Sequence, residues 1–364
     1  MLLLCNCAAI GWLVLCYFSS ITHPEKFKYI ALFSLTLPFA LATNIIFVCV
    51  WLISKKKLRS LLSLIALTLC SKMIPAVFGL HYFSKNDWSR ERGTFKLLTW
   101  NVHAMGTFNH PFEKEHAKGI MKFVQDENPD IVCLPEFAIN ATESRKAFFN
   151  KIIREGHYRD YRFNMDNGYG TDIAIGTAIF SRYPIVRYTP HELSPYIFLL
   201  ECDLNVEGTL VRIGVVHLIT FGLTDADKAI IEDVKQDQDK ESISKSRSFA
   251  WKFNNAYIRR AGEAEKIHEI MKDSPYPVII CGDFNDLPYS YTYRTARGEL
   301  NDAFAEKGRG FGRTYNQIVP TLRIDHIFYT PDAFNIRAFK TVYSDLSDHS
   351  PVIANFEIVS KASH

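Results

Sequence analysis

The sequence lacks the patterns that would identify several classes of protein at once. Its eight cysteines form no Cys-x-x-Cys pair and no cysteine–histidine spacing of the kind that binds zinc. It contains no internal repeat and no low-complexity linker. Together with a composition of 48% hydrophobic and 22% charged residues, these absences exclude a disordered chain, a collagen-like repeat and a disulfide-dense miniprotein.

Charge of either sign is scarce in the first part of the chain. Residues 1–83 carry seven lysines and arginines and a single acidic residue, Glu25, which gives this segment a net charge of +6. The remaining residues carry 35 basic and 38 acidic side chains, a net charge of −3. An apolar, basic head therefore precedes a mildly acidic body, and neither has the strongly basic composition of a non-specific nucleic-acid binder.

Three long apolar runs fill the head. Two of them, 1–18 and 29–54, contain no charged residue, and the third, 60–83, contains Lys72 and His81. A transmembrane helix needs about 20 predominantly apolar residues, and no basic segment precedes the first run, as it would in a cleaved signal peptide. The sequence therefore predicts a multi-pass integral membrane protein with three helices, over about 1–18, 29–54 and 60–83, and the lipid bilayer as a partner.

The basic residues of the head predict its orientation. Four of them lie between the second and third runs: Lys55, Lys56, Lys57 and Arg59. The loop between the first two runs offers two lysines, offset by Glu25. Because basic loops stay on the cytoplasmic side, the third helix is expected to deliver the rest of the chain to the periplasmic or extracellular side.

Short apolar runs alternate with helical patterns in the rest of the chain, after a linker predicted over 84–93. Helices are expected over 112–125, 145–154 and 249–271. Strands are expected over 95–102, 130–136, 177–180, 197–206, 210–218, 278–281, 324–329 and 352–358, with a hairpin turn at Gly208. The alternation favours one α/β domain over 94–364. Only 220–248 is polar and weakly periodic, which is typical of a lid, a partner surface or a solvated loop.

Four carboxylates lie next to apolar runs: Glu136, Asp283, Asp325 and Asp348. Burying them without a positive partner would cost several kcal/mol each or neutralise them. A hard divalent cation solves this problem, and oxygen ligands without cysteine favour Mg²⁺, or Mn²⁺, over zinc. Two histidines in similar positions, His217 and His349, titrate near neutral pH and suit acid–base chemistry.

Six short motifs occur in a characteristic order: TWN ending at Asn101, PE at Glu136, HL at His217, then GDFND, RIDH and SDH. This ordered set resembles the endonuclease/exonuclease/phosphatase superfamily, which includes deoxyribonucleases, inositol polyphosphate phosphatases and neutral sphingomyelinases. The resemblance covers roughly residues 94–358. It implies an α/β (α+β) fold, a four-layer α/β/β/α sandwich of two mostly antiparallel sheets, and a metal-dependent phosphoric ester hydrolase.

The resemblance also implies which residues bind the metal. Glu136 resembles the principal ligand, and Asn101 lies beside it, either as a ligand or one water away. Asp348 resembles a further ligand, or one for a second metal. The implied cofactor is Mg²⁺, with Mn²⁺ as the alternative.

Catalytic residues follow from the same motifs. His349 resembles the residue that faces the scissile phosphate, and Asp325 the carboxylate that orients it. Asp283 is similar to the residue that aligns or deprotonates the attacking water, so proton removal is assigned jointly to Asp283 and His349. Asn285 and His217 resemble hydrogen-bond donors to the phosphoryl oxygens.

The substrate stays open between several classes. Membrane helices favour a phospholipase C- or sphingomyelinase-type enzyme acting on lipid headgroups. A membrane-tethered nuclease is the alternative; the net charge of −3 argues against it, although local patches such as Arg259–Arg260 or Arg309 with Arg313 would help. A phosphatase of a small substrate and an inactive binding module complete the set. No obligate protein partner is evident from the sequence.

Overall fold

The computed structural model describes residues 1–106, 114–140, 145–169, 173–221, 240–317 and 322–359. The chain divides into two compact units. The first consists of Met1–Val77, Ile219–Glu265 and Asn285–Ala296, and the second of Phe78–Leu218, Lys266–Phe284 and Arg297–His364. The middle of the predicted polar segment, 222–239, lies outside the described residues.

The head of the chain is helical, as its apolar runs predict. Its helices are α1 (Leu2–Ile21), α2 (Leu37–Ile53), α3 (Ser60–Leu69) and α4 (Ile74–Val77), with a 3₁₀ segment, Ile30–Thr36, leading into α2. Two segments, Leu2–Ile21 and Ile30–Ile53, are long and apolar enough to cross a membrane. They correspond to the first two predicted transmembrane helices.

The prediction of a third continuous transmembrane helix over 60–83 is wrong. The helical segments Lys57–Leu69 and Ser71–Val77 meet at a bend of 53°, and they qualify as a span only if the bent pair crosses as one. Pro75 explains the break, because it has no N–H to donate to the carbonyl four residues earlier and its ring crowds that carbonyl. Beyond the break, Gly79–Leu80 forms a strand, β1, that pairs with the strand β11 (Arg309–Gly310).

Polar side chains hold the helices of the head together. The Asn6 amide donates to Ser63 Oγ at 2.6 Å, and Trp51 Nε1 donates to Asn6 Oδ1 at 2.7 Å. Asn44 Nδ2 donates to the Ala9 carbonyl at 3.0 Å. Such contacts are typical of helices that pack in lipid, where polar groups must find partners within the protein.

The second unit is built on two six-stranded sheets. The strand order of the first sheet is β13–β14–β2–β3–β5–β4, with β2 (Thr94–Thr99), β3 (Ile131–Asn140), β4 (Asp160–Tyr169), β5 (Ile173–Ser181), β13 (Phe334–Thr341) and β14 (Val352–Ile358). The order of the second is β10–β12–β9–β8–β7–β6, with β6 (Ile185–Ser194), β7 (Ile197–Val206), β8 (Thr209–His217), β9 (Val278–Asp283), β10 (Asn301–Asp302) and β12 (Asp325–Tyr329). Only the pairs β2–β3 and β8–β9 are parallel among these described strands, so both sheets are mixed and mostly antiparallel.

The two sheets pack face to face. Apolar side chains from both, including Leu97, Ile213 and the buried thiols Cys133, Cys202 and Cys281, form one core. Each fully buried aliphatic side chain of such a core stabilises the fold by about 1.5–3 kcal/mol. The cysteines are therefore apolar filling, as the sequence predicts.

Five further helices are α5 (Lys114–Glu127), α6 (Arg145–Gly156), α7 (Lys240–Lys272), α8 (Tyr291–Arg297) and α9 (Ala303–Lys307). Most of α7 and all of α8 except Arg297 belong to the first unit. In the second unit, α5, α6 and the end of α7 cover the outer faces of the sheets. Ile120 of α5 and Phe149 of α6 share a second core with Val132 of the first sheet. On the second sheet, a Cβ at Gly214 would lie 2.4 Å from Met271 Cε, so the end of α7 packs directly on β8. The layers are those of the expected sandwich.

The predicted linker over 84–93 has no regular structure, but it is tied to the edge of the first sheet. The Asn86 amide exchanges hydrogen bonds with the backbone of Phe339 in β13, at 3.3 and 3.4 Å. Arg337 of the same strand binds Glu91 at 2.8 Å and also binds Asp87. These contacts occupy backbone and side-chain groups that an edge strand would otherwise expose.

Candidate active site

Strand ends bring the predicted residues together at one edge of the sandwich. Asn101 follows β2 by two residues, and His217 and Asp283 end the parallel strands β8 and β9 as register partners. Asp325 begins the antiparallel strand β12 directly opposite Asp283. Parallel neighbours end at the same edge and an antiparallel neighbour begins there, so this register places the polar groups side by side.

Glu136 reaches the site through a bulge in β3. The pairing of β3 with β5 is interrupted between Leu134 and Phe137, where Pro135 has no N–H to contribute. Glu136 adopts φ 52°, in the left-handed region that a non-glycine residue enters at a cost of about 1–3 kcal/mol. The bulge thus redirects this carboxylate out of the regular alternation of the strand.

Three buried groups form what we call the buried trio: Asp283, Asp325 and His349. His349 Nδ1 lies 2.9 Å from Asp325 Oδ2, and its Nε2 lies 3.6 Å from Asp283 Oδ2. Burial raises the pKa of the Asp325 carboxyl to about 6, against the opposing charge of His349. Burial alone would lower the pKa of His349, but the carboxylates of Asp325 and Asp283 outweigh it and raise that pKa to about 10. The trio therefore holds an imidazolium between two carboxyl groups.

Neighbouring groups fix the position of His349. Trp100 Nε1 donates to its carbonyl at 2.8 Å, and the Tyr315 ring meets the imidazole edge-on with centroids 5.1 Å apart. Thr314 Oγ1 accepts from the backbone N–H of Asp325 at 3.1 Å. The imidazole is therefore held in a single orientation from both sides.

A second, more accessible group, which we call the open trio, consists of Glu136, Asp348 and His103. Their side chains are 18%, 12% and 33% exposed. His103 Nδ1 lies 3.4 Å from Asp348 Oδ1 and 3.9 Å from Glu136 Oε2, so it stands between the two carboxylates.

Asn101 and His217 connect the two trios. The Asn101 amide donates to both Glu136 Oε1 and Asp283 Oδ2 at 3.0 Å. His217 Nε2 lies 3.2 Å from Glu136 Oε1 and 3.9 Å from Asp283 Oδ2, yet it makes no hydrogen bond with any described residue. A buried imidazole nitrogen aimed at the site without a hydrogen bond is suited to contact a substrate oxygen.

Sequence reasoning missed two members of this site. His103 follows the predicted ligand Asn101 by two residues, in a turn whose residues 103–105 all have positive φ. Asp166 lies at a bulge of β4 and accepts from Thr177 Oγ1 at 3.1 Å. Burial raises the pKa of Asp166, against the hydrogen bond that its carboxylate accepts from Asn164. The only available signal was the nearness of His103 to the TWN motif.

Seven of the eight predicted site residues thus meet in the second unit. Asn285, the eighth, belongs to the first unit and has φ 51°. Its carbonyl accepts a hydrogen bond from Arg260, which is 0% exposed and has its Nε 3.6 Å from Asp286 Oδ2. Arg260 is therefore a buried anchor of the GDFND segment, and its suggested place in a basic surface patch is wrong.

The donor set fits a hard divalent cation. Ligand atoms of the buried trio lie within 4.8 Å of one another, close enough to hold a metal ion. In the open trio, two carboxylates converge on one imidazole while remaining partly accessible. Carboxylate oxygens with amide and imidazole neighbours, and no thiolate, are the ligands of Mg²⁺ or Mn²⁺ rather than of a structural zinc.

Comparison with known proteins identifies the family. The sequence profile described as the Endonuclease/Exonuclease/phosphatase family matches residues 98–349, which is more than half of the chain. The chain belongs to this family. Its members are usually metal-dependent hydrolases of phosphoester bonds. Residues 1–77 match a second profile, described as a domain of unknown function (DUF8431).

Solved structures of endonuclease/exonuclease/phosphatase proteins share the fold. The endonuclease/exonuclease/phosphatase from Beutenbergia cavernae DSM 12333 is 19% identical with a TM-score of 0.53, over 73% of this chain and 72% of that chain. The human Nocturnin catalytic domain with bound sulfate is 18% identical (TM-score 0.52, 76% and 97% covered). D. rerio TDP2 complexed with single strand DNA product is 15% identical (TM-score 0.51, 72% and 99% covered). A comparison with curated proteins found no match.

Proposed function

We propose that this protein is a membrane-anchored, Mg²⁺-dependent phosphodiesterase. One observation carries the proposal: the buried His349–Asp325 pair and the partly exposed carboxylates of Glu136 and Asp348 lie at the same edge of a family fold that hydrolyses phosphoesters. The first arrangement suits proton handling, and the second suits a metal ion.

Glu136, Asn101 and Asp348 are the proposed metal ligands. Two carboxylates that face the same imidazole repel each other, and a divalent cation would relieve the repulsion. His103, between them, is a further nitrogen donor in the same place. When bound, the metal would supply positive charge to stabilise the phosphoryl oxygens as negative charge develops.

Other residues would position the water and the phosphate. Asp283 Oδ2 lies 3.6 Å from His349 Nε2 and accepts from Asn101, so its carboxylate is held where it can orient a water and take up the water's proton beside the His349 imidazolium. Asp325 forms a hydrogen bond with Nδ1 of His349, which leaves Nε2 to face the reacting groups. His217 is a proposed donor to the non-bridging oxygens.

A phospholipid or sphingolipid headgroup is the proposed substrate class, in the manner of a phospholipase C. Two helical segments long and apolar enough to span a bilayer belong to the same chain as the site. Such an anchor would keep an enzyme that acts on lipids at the membrane that contains its substrate. The basic loop at 55–59 supports a cytoplasmic position for that loop and an extracytoplasmic catalytic domain. Protease added to intact spheroplasts should then digest the catalytic domain, and full protection would reverse this orientation.

A membrane-tethered nuclease is the second candidate. Its support is the shared fold with D. rerio TDP2, whose structure contains a single-stranded DNA product. Because Arg260 is buried, Arg259–Arg260 does not form one of the basic surface patches that would help a nuclease bind nucleic acid. A phosphatase of small substrates and an inactive binding module remain as outcomes of the experiment below.

Full-length protein in mixed micelles should be offered sphingomyelin, glycerophospholipid and linear DNA in one reaction with Mg²⁺. The proposal predicts headgroup release that EDTA and His349→Ala abolish, while His157→Ala, at an exposed histidine, leaves it intact. Cleavage of DNA with lipids untouched would select the nuclease. Absence of any hydrolysis with metal bound would leave the phosphatase of small substrates and the inactive module.

A further inference from the structure

A cavity in the second unit is lined by residues that the proposed reaction does not use. Its volume is about 390 Å³, within the usual range of small-molecule sites. Arg309, Arg313 and Lys340 line it together with Phe304, Phe339 and Tyr343. We call this cavity the arginine cleft.

Positive charge dominates the arginine cleft. No carboxylate is among its lining residues in the part of the chain that the structure describes. Lys340 is already neutralised by Glu127, whose Oε2 lies 2.7 Å from its Nζ. Neither Arg309 nor Arg313 forms an ion pair with a described residue, since both donate to main-chain carbonyls instead. The cleft therefore keeps two uncompensated guanidinium groups.

Both guanidinium groups are held in place before any ligand arrives. Arg309 donates from Nε to the His81 carbonyl at 3.1 Å and from a terminal nitrogen to the Ser84 carbonyl at 2.8 Å. Arg313 donates in the same way to the carbonyls of Tyr315 and Asn316. The second terminal nitrogen of each has no hydrogen bond to a described residue. Fixed, planar donors of this kind suit the tetrahedral oxygens of a phosphate group.

The rest of the cleft combines three aromatic side chains with the polar side chains of Asn86, Asn316, Thr341 and Ser350. Phe304 and Phe339 are 1% and 6% exposed and form a buried wall, whereas Tyr343 at the rim is 68% exposed. An inorganic anion would leave the exposed Tyr343 ring uncovered, whereas a phosphate ester brings an organic part that can pack against it. The lining thus favours a phosphate group on an organic headgroup over a bare ion.

Exposed aromatic and aliphatic side chains surround Arg309. They belong to the segment that follows the last apolar helix, where only Phe78 separates α4 from β1, and to the strand partner of β1. Leu80, Tyr82, Phe83 and Phe311 are 63%, 51%, 100% and 41% exposed. Aromatic residues beside arginine are typical of the zone where a membrane protein meets lipid headgroups.

We propose that the arginine cleft is a binding site for a phosphate-bearing headgroup, separate from the catalytic residues. Arg309 and Arg313 bind the phosphate, and the Tyr343 ring packs against the organic part. The site goes beyond the proposed reaction, because none of the metal or catalytic residues lines it. The ligand is an anionic phospholipid headgroup or a soluble phosphoester of the same chemistry.

Binding should be measured with full-length His349→Ala protein in EDTA, so that neither turnover nor a metal at the catalytic site contributes. One arm titrates glycerol phosphate by calorimetry against protein in phosphatidylcholine nanodiscs. A second arm measures capture of phosphatidic acid from mixed nanodiscs. Binding in both arms indicates headgroup recognition as such, and binding in the second alone indicates a membrane lipid.

Substitutions at Arg309 and Arg313 test whether the arginine cleft is the binding site. Arg313→Ala and Arg309→Ala should each weaken binding about tenfold, and the double variant roughly a hundredfold, because each removes charge-assisted hydrogen bonds to phosphate. Arg313→Lys, which keeps the charge but not the planar fork, should lose part of the affinity and also shows that the fold tolerates change there. Arg187→Ala, at an exposed arginine outside the cleft, is the matched control and should bind normally.

Three results would overturn the proposal: no binding in either arm, equal binding by the double variant, or preference for an oligonucleotide that depends on the same arginines. Any of these leaves the proposed reaction intact, because hydrolysis by the wild-type protein is measured separately. Conversely, if the wild-type protein shows no hydrolysis, the proposed binding at the arginine cleft is unaffected.

Discussion

The buried trio and the open trio share one edge of the sandwich but differ in exposure and in hydrogen bonding. Side chains of Asp283, Asp325 and His349 are 1%, 2% and 6% exposed, and a hydrogen bond of 2.9 Å joins the last two. In the open trio, exposure rises to between 12% and 33%, and the shortest contact between its members is 3.4 Å. Burial forces charges into pairs, whereas access to water allows like charges to remain close.

In the proposed reaction, this contrast would separate two tasks that one cluster of carboxylates would perform badly. A group that moves a proton needs a fixed partner and a defined orientation, which the buried trio provides. A group that holds a hydrated cation needs room for water and ligands that can adjust, which the open trio provides. Predictions that alter one trio at a time test the division.

Replacing His349 should have the largest effect. His349→Ala removes the central imidazole of the buried trio and should lower kcat by about 10³- to 10⁴-fold, the upper part of the range for a general acid–base group. Mg²⁺ binding, followed by calorimetry, should change little. His157→Ala is the control, and a His349→Ala protein with normal turnover would remove the imidazole from the mechanism.

Glu136→Gln should come next, and it should act on the metal. The substitution keeps the shape of the side chain but removes a ligand charge, so Mg²⁺ affinity should fall by at least about a hundredfold. Measurement of Mn²⁺ binding by electron paramagnetic resonance reads this directly. Glu192→Gln, at an exposed glutamate of β6, is the matched control. Unchanged affinity in Glu136→Gln would place the metal elsewhere.

Asp325→Asn should change the protonation of His349. In the metal-free protein the Asp325 carboxylate is one of the groups that raise the His349 pKa to about 10. Its loss should lower that pKa, because burial, which favours the neutral imidazole, then meets a weaker opposing charge. The imidazole then loses its proton at a lower pH, and activity should fall roughly 10- to 100-fold, as for other partners that orient a catalytic group. Histidine titration by NMR tests the direction, and an upward shift would contradict it.

His103→Ala should have the smallest effect. His103 stands between Glu136 and Asp348 but is the most exposed member of the open trio, so its loss should raise the Mg²⁺ requirement up to about tenfold. Turnover at saturating Mg²⁺ should be close to that of the wild type. A large fall in kcat at saturating metal would give His103 a part in the chemistry itself.

Much of this site could be predicted because its residues end apolar runs. The run predicted over 210–218 is strand β8, Thr209–His217, and that over 278–281 is β9, Val278–Asp283, so His217 and Asp283 were placed correctly at strand ends. Strands β4, β6 and β13 were missed, and all three are edge strands, whose exposed positions carry polar residues that hide the alternation. Because β4 was not predicted, Asp166 was not recognised as a candidate site residue.

Other features depend on three-dimensional contacts that spacing does not encode. His103 enters the site because three consecutive residues adopt positive φ, which composition gives no reason to expect. Arg260 looks like a surface charge in sequence, but it is buried against Asp286 and the carbonyl of Asn285. The third apolar run was predicted to be a helix from its composition alone, although Pro75 and Gly79 were signals that a helix over 60–83 would break.

The central claim is that the metal belongs to the open trio and not to the buried one, and one comparison tests it. Mg²⁺ dependence of phosphodiester hydrolysis should be measured side by side for the wild type, Glu136→Gln and Asp325→Asn. We predict that Glu136→Gln shifts the Mg²⁺ midpoint upward, while Asp325→Asn lowers the maximal rate and leaves the midpoint unchanged. A shifted midpoint in Asp325→Asn with an unshifted one in Glu136→Gln would place the metal in the buried trio and contradict the account.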